Sequence, residues 1–317
     1  MILSMKSHIS FRKDNYLSVD EESACQRLDN FLFGKLKKIP KSRIYRMIRS
    51  GEVRVNSKRV RQFYRLVVND LIRIPPIASN KMSSIPKVGR PNSRLANLLL
   101  GSIIFEDEKI IVINKPAGIA SHGGSGINFG VIEILRDARV DLKELALVHR
   151  LDRDTSGCLI LSKKRSVLRE LHRLMVANKI TKKYLLLVRG AWQGGMRRVE
   201  LALVKDQLRS GERMVNVDEQ RGKKTLTIFR PIRILTHWSL LSAELGTGRT
   251  HQIRVHAASI GYPIIGDEKY GDKKINESAR QLGVKRLGLH AHSLEFAWEN
   301  GEVVKFVADS EKIFTGN

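Results

Sequence analysis

"LVHRLDRDTSGCLILSKK", residues 147–164, sets two aspartates and two arginines into a short polar interruption between apolar runs. Asp152 and Asp154 therefore fall in a loop at the mouth of a strand, and loops on a rigid sheet often carry catalytic groups. Asp154 and Thr155 also suit a plain turn, in which short polar side chains bond their own backbone before Gly157. Asp152 fits that reading less well. It follows Arg150 and Leu151 where the strand begins, and a covered carboxylate there needs a nearby cation.

Outward from this loop, "SIIFEDEKIIVINKP", "LALVHR", "CLILSKK", "YLLLVRG", "TLTIFRPI" and "WSLLSAEL" read as strands. Several are apolar on both faces, the mark of central strands in a covered sheet. "SVLRELHRLMVANK" places Leu168, Leu171 and Met175 on one helical stripe, and "RTHQIRVHAASIG" does the same with Ile253, Ala257 and Ile260 before Gly261. The strands cluster instead of alternating strictly with helices. The expectation is an α+β fold with a mixed, largely antiparallel central sheet.

The chain of 317 residues is 42% hydrophobic and 28% charged, as in ordinary globular proteins. Its 57 Lys and Arg against 32 Asp and Glu give a net charge of +25, and the pI is near 10.3. Such a surface favours polyanions, with nucleic acid the leading partner. No apolar run approaches the roughly 20 residues a membrane span requires, and the amino end lacks the apolar core of a secretory signal. Cys25 and Cys158 alone can build neither a disulfide framework nor a cysteine-rich zinc site. A cytoplasmic enzyme or binding protein fits these features, and with no apolar seam a monomer is expected.

Four of the eight prolines lie in "PPIASNKMSSIPKVGRP", residues 75–91, which reads as a linker. The expected division is a flexible tail over 1–17, a small basic module over 18–76, a linker over 77–95 and a large body over 96–317. In the module, "SACQRLDNFLFGKL" and "KSRIYRMIRSG" read as helices, the second capped by Ser42 and ended by Gly51. "EVRVN" and "LIRIP" then read as short strands. Between Lys37 and Arg61 stand ten basic residues against Glu52 alone. A merely solvated face would mix signs, so Lys41, Arg43, Arg46, Arg49, Arg54, Lys58 and Arg59 are candidate RNA contacts.

Other chemistries fit poorly. "DTSG" is similar to the aspartic protease loop, but the second aspartate loop needed to share a proton is absent. His251 and His256, five apart, turn away from one helix face, so no metal site is built there. His290 and His292 could share one side of a strand, a pattern more often structural. "HGGSGINFG" matches neither a phosphate loop nor a dinucleotide fingerprint. No cofactor and no metal are expected.

The module resembles the small S4-type RNA-binding domain of a ribosomal protein and many RNA-modifying enzymes. In the body, "NKPAG" (114–118), "HRLDRDTSG" (149–157), "KKYLLLVRG" (182–190) and "GTGRTHQIRVH" (246–256) resemble, in order, the motifs of the RluA family of RNA pseudouridine synthases. "HGGSG" and "GDEKYGD" (266–272) add to the likeness, which covers about residues 100–310. Lys224 stands where proline is common in that family, and Cys158 where an aliphatic residue is usual.

The resemblance implies site-specific isomerisation of uridine in large-subunit ribosomal RNA, or in a pre-ribosomal particle, without metal or cofactor. It implies Asp152 as the essential carboxylate, Arg254 as the arginine that pairs with it in a dry pocket, and Tyr184 as the aromatic lying against uracil, its hydroxyl a possible late proton acceptor. Arg150 would fill the space left by the flipped nucleotide, Ile253 would pack beneath the base, and His149 would belong to the substrate pocket. A non-catalytic ribosomal RNA-binding or ribosome-assembly protein on the same fold is the alternative.

Overall fold

A computed structural model describes residues 15–36, 39–76, 91–124, 129–207, 213–281 and 283–310. Two compact units divide between Val88 and Gly89. Residues 77–90 of the expected linker over 77–95, most of the expected tail, Lys37, Lys38 and the side chain of Lys41 lie outside the described residues.

In the first unit β1 (Asn15–Ser18), α1 (Leu28–Lys35), α2 (Lys41–Ser50), β2 (Arg54–Val55) and β3 (Leu71–Ile74) enclose one core. The three strands pair antiparallel in the order β1-β3-β2. Residues 15–17 thus belong to a sheet instead of the expected tail. Leu28, Phe31 and Leu32 of α1 meet Ile44, Met47 and Ile48 of α2 over Ile72 and Ile74. Each such aliphatic contributes roughly 1.5–3 kcal/mol on burial. Pro40, in extended geometry, precedes α2 in place of the expected Ser42 cap, and Gly51 at φ +78° ends it as expected.

The second unit opens with α3 (Ser93–Leu100), capped by the Asn92 side chain, which accepts the Arg94 amide at 2.8 Å. The body therefore starts inside the expected linker. There follow β4 (Ile103–Glu106), β5 (Ile110–Lys115), α4 (Val131–Ala138), β6 (Ala146–Leu147), β7 (Ser156–Ser162), α5 (Arg165–Val176) and β8 (Thr181–Arg189). Next come β9 (Arg197–Gln207), β10 (Arg213–Val217), β11 (Lys223–Ile234), β12 (Trp238–Leu245), α6 (Gln252–Ser259), α7 (Lys273–Gln281), β13 (Leu289–Ala297) and β14 (Val303–Val307). The strands form one sheet in the order β10-β9-β11-β12-β8-β13-β7-β5-β4, with β14 on β13 and β6 on β7. Among the described pairings β7·β13 is parallel and the rest are antiparallel, so the expected mixed, largely antiparallel α+β architecture holds.

Every residue of β7 is buried because helices cover both of its faces. Cys158 and Ile160 point to a core with Val167 and Leu171 of α5. Leu159 and Leu161, one step out of phase, join Ile134 and Leu135 of α4 and Leu99 of α3. Farther along the sheet α6 packs Ile253 and Ala257 onto Leu186, Phe229 and Leu241. The loop before β7 and the start of α6 are thereby delivered to one region. Among the described residues no helix is long and apolar enough to cross a membrane.

Gly157 sits at φ +111°, where an added Cβ would lie 2.2 Å from the Ala291 carbonyl oxygen. The close β7·β13 pairing requires that glycine. Gly157→Ala is expected to destabilise the protein by about 3 kcal/mol or more. Urea unfolding monitored by circular dichroism checks this, and a midpoint within error of wild type contradicts it.

Candidate active site

Asp152 is the first residue of a tight turn in which the Thr155 amide donates to the Asp152 carbonyl at 3.2 Å. Both flanks of the turn are gripped. The Ser121 hydroxyl donates to the Leu151 carbonyl at 2.8 Å and accepts the Leu151 amide at 3.0 Å. On the other side the Arg153 carbonyl accepts from the Gly118 amide at 2.9 Å and from Lys115 Nζ at 3.1 Å. Lys115 is wholly buried and also donates to the carbonyls of Pro116 and Ile119. Burial pushes its ammonium down to about 7, against the pull of Asp154 and Asp152. The "NKPAG" stretch therefore acts as a clasp on the aspartate loop. Asp154 itself pairs with exposed Arg153 at 3.0 Å, in agreement with a turn role.

Arg254 of α6 reaches Asp152, Nη1 to Oδ2, at 3.6 Å. The two side chains expected to pair do come together. The contact is an ion pair beyond hydrogen-bond distance, and the stronger partner is a residue that sequence reasoning left without a role. Asp267 accepts Arg254 Nε and Nη2 at 2.7 Å each, a bidentate pair. Asp267 also takes the amides of Lys269 at 2.9 Å and Tyr270 at 3.0 Å. Those bonds and the guanidinium hold its carboxyl below the usual range although burial opposes them. The Arg254 guanidinium lies 5.1 Å from the Tyr270 ring centroid, a cation–π contact.

His251 was also missed. At φ +54° it precedes α6 and puts Nε2 3.7 Å from Asp152 Oδ2. Tyr270 Oη accepts the Val215 amide at 2.9 Å and lies 2.9 Å from His251 Nδ1. In the neutral tautomer whose Nδ1 accepts the Tyr270 hydroxyl proton, the remaining proton sits on Nε2, the nitrogen nearer Asp152. Burial pushes the His251 imidazolium down, in keeping with that neutral form. The signal for Asp267 and Tyr270 was present in "GDEKYGD", quoted as a motif but silent about which polar residue turns inward.

The cleft before Asp152 is lined by Arg150, Tyr184, Arg249, His251, Ile253 and Arg254 among others. Ile253 is buried beneath it and shares a core with half-buried Tyr184. Burial and then the Asp152 charge raise the Tyr184 phenol. Arg150 is exposed on the rim. One expectation needs correction. The Asp152 side chain is 22% exposed where that of Arg254 is 7%, so the acid is partly open to solvent where a dry pocket was expected. His149 lines an adjoining cleft together with Arg150, Tyr184 and Arg249, and its Nε2 accepts the Ile160 amide at 3.1 Å. Among the described residues no group of three or more His, Cys, Asp or Glu could hold a metal ion.

The small unit exposes Arg46, Arg49, Arg54, Lys58 and Arg59. Arg43 is half-covered and paired with Glu52 at 3.0 Å, so its charge is partly spent. The Arg59 guanidinium bonds the Arg49 carbonyl.

With this geometry in view, the profile described as RNA pseudouridylate synthase matches residues 109–259, and that of the S4 domain matches 26–72. The chain is 48% identical over 293 residues to the ribosomal large subunit pseudouridine synthase C of Haemophilus influenzae, spanning 92% of this chain and 90% of that protein. The chain belongs to the RNA pseudouridylate synthase family. To the Escherichia coli protein of the same description it is 44% identical over 299 residues, 93% of each chain. The solved structure of human RNA Pseudouridylate Synthase Domain Containing 1 shares the fold of this synthase, with a TM-score of 0.57 over 70% of this chain and 86% of that one at 24% identity.

Three histidines of the synthase tie folding to pH. Burial lowers His149, His256 and His290 to about 4, against roughly 6.5 in an unfolded chain. Depressed folded values mean that the unfolded chain binds the extra protons, so stability is intact above about pH 6.5 and falls as pH drops toward 4. The loss should reach roughly 2–3 kcal/mol for each fully buried ring. Urea midpoints between pH 7.5 and 5 measure it, and a flat profile contradicts it.

Proposed function

We propose that this synthase isomerises specific uridines of large-subunit ribosomal RNA to pseudouridine, with Asp152 as the carboxylate at the glycosidic carbon. The observation that carries the reading is Asp152, clasped on both flanks, open to a cleft, and 3.6 Å from an arginine that is itself fixed by Asp267. A uridine in folded RNA must leave its stack to enter such a cleft. Arg150 on the rim is placed to fill the vacancy, a task suited to a planar cation.

In the reaction the bond from N1 to C1′ breaks and its electron pair leaves with uracil. The base turns, C5 bonds to C1′, and the C5 proton is lost while N1 gains one. Nothing is oxidised and no group is donated from outside. A carboxylate at C1′ meets the growing positive charge there, as nucleophile or as counter-charge, from the same position. Tyr184 is better suited to wall and donor than to proton acceptor, since its raised phenol holds its own proton near neutral pH. Ile253 forms the floor. His149, fixed by the Ile160 amide, lines the adjoining cleft beside Arg150 and Tyr184 and belongs to the substrate pocket on that side.

The small unit supplies phosphate contacts through Arg46, Arg49, Arg54, Lys58 and Arg59, joined by Lys41 and Arg43. We place the activity in the cytoplasm and in a monomer, with ribosomal RNA or a pre-ribosomal particle as partner.

Asp152→Asn should fold and bind RNA but lose pseudouridine formation by about 10²–10⁴-fold. Carbodiimide primer extension on large-subunit RNA from cells lacking the protein reads this directly. No new stop with wild type would leave only a binding protein. Replacing Arg46 and Arg49 together by alanine should lower the slope of log affinity against log salt by about 1.5, two phosphate contacts at roughly 0.7–0.9 each. The turnover at saturating RNA should stay within about twofold, because those contacts position the RNA and take no part in the chemistry.

A further inference from the structure

A second groove is lined by six basic and two acidic side chains together with apolar and backbone surface. Arg254 lines both clefts. Two of the six cations are neutralised locally, Arg153 by Asp154 at 3.0 Å and Arg280 by Glu268 at 2.8 Å. Arg254 is held by Asp267 and Asp152.

Arg286 differs from these. It is half-buried, and among the described residues its hydrogen-bond partner is a hydroxyl, Ser156 Oγ at 2.9 Å from Nη1, with no carboxylate paired to it. A guanidinium has five N–H donors, so most of this one's are left without a described protein acceptor. The hydroxyl is itself oriented. His290 Nε2 lies 3.2 Å from the Ala308 carbonyl and so carries the ring proton. His290 Nδ1, 2.9 Å from Ser156 Oγ, then accepts the serine proton, which turns an oxygen lone pair to Arg286. Ser156 and His290 are buried, so the relay is a fixed support. Burial lowers the Arg286 guanidinium with no carboxylate opposing the shift, and its charge also pushes Lys115 down. Partly desolvated cations normally sit beside an anion. Among the described residues no protein group supplies that anion.

The geometry points to a phosphate seat: the groove centred on Arg286 binds a phosphodiester of the substrate RNA strand next to the flipped uridine. The inference rests on the proposed function, because it takes RNA as the molecule in the cleft. Exposed Lys285 lines the same groove and adds long-range attraction. Arg286 is a binding residue here, oriented by Ser156 and His290, and takes no part in bond breaking.

Filter binding to a large-subunit ribosomal RNA transcript over a salt series tests the seat, with steady-state pseudouridine formation alongside. Arg286→Gln should lower the salt slope by about 0.7–0.9, the value for one phosphate. It should raise KM several-fold and leave kcat within about twofold, and Arg286→Lys should restore the slope. In ethylation interference, modifying phosphates within a few nucleotides of the pseudouridine stop should weaken wild type and leave Arg286→Gln unaffected. An unchanged slope, or a loss confined to kcat, overturns the seat and makes Arg286 a support for the Asp152 loop. If Arg286→Gln fails to fold, Lys285→Gln gives the same reading: an unchanged salt slope there overturns the groove as an RNA surface. Should wild type bind but form no pseudouridine, the function falls while the slope comparison still decides the seat.

Discussion

One guanidinium serves two carboxylates of very different exposure. Asp267 is wholly covered and Asp152 partly open, and Arg254 stands between them with its bidentate face given to the buried one. A buried carboxylate left alone would cost several kcal/mol, so the Arg254–Asp267 pair is obligatory once the chain packs this way. The position of Arg254 is thus set by the fold, and Asp152 receives whatever donor remains. That order of priority makes the site pre-organised before any RNA arrives.

The same logic holds for the aspartate loop. Asp152 makes no tight hydrogen bond through its carboxylate to the clasp. Its backbone neighbours Leu151 and Arg153 are the groups gripped, by Ser121 on one side and by Lys115 with Gly118 on the other. Binding the loop through carbonyls fixes its direction while leaving both carboxylate oxygens for the cleft. The burial of Lys115 is the energetic counterpart of that freedom. Three carbonyl acceptors offset part of its desolvation, and its depressed ammonium measures what they leave over.

Local signals were legible in the sequence, and side-chain direction was not. The run before Gly157 declared a strand mouth, and "RTHQIRVHAASIG" declared a helix whose Ile253 and Ala257 face the core, because apolar periodicity is written in adjacent residues. Strands β9 and β10 escaped notice, since "RRVELALVKDQ" and "RMVNV" intersperse charged residues among the apolar ones and so lack a continuous apolar run. Asp267 is separated from Arg254 by 13 residues in a stretch that reads as exposed and polar; only the turn at Gly266, φ +78°, brings it inward. Ser42 failed for a related reason: residue type suggested a cap, whereas the Pro40 geometry decided otherwise.

The partial exposure of Asp152 has an electrostatic consequence. Across roughly 4 Å an ion pair is worth about 1 kcal/mol in water and about 4 kcal/mol at the effective dielectric of a protein surface. In the open cleft the Arg254–Asp152 attraction, at 3.6 Å, lies toward the weaker end. A base seated between Tyr184 and Ile253 would expel that water and move the pair toward the stronger end. On the proposed function, the nucleoside would complete the environment of the acid, and a strand that kept its uridine stacked would leave the carboxylate solvated. Discrimination between a stacked and an extruded uridine then follows from desolvation as well as from shape.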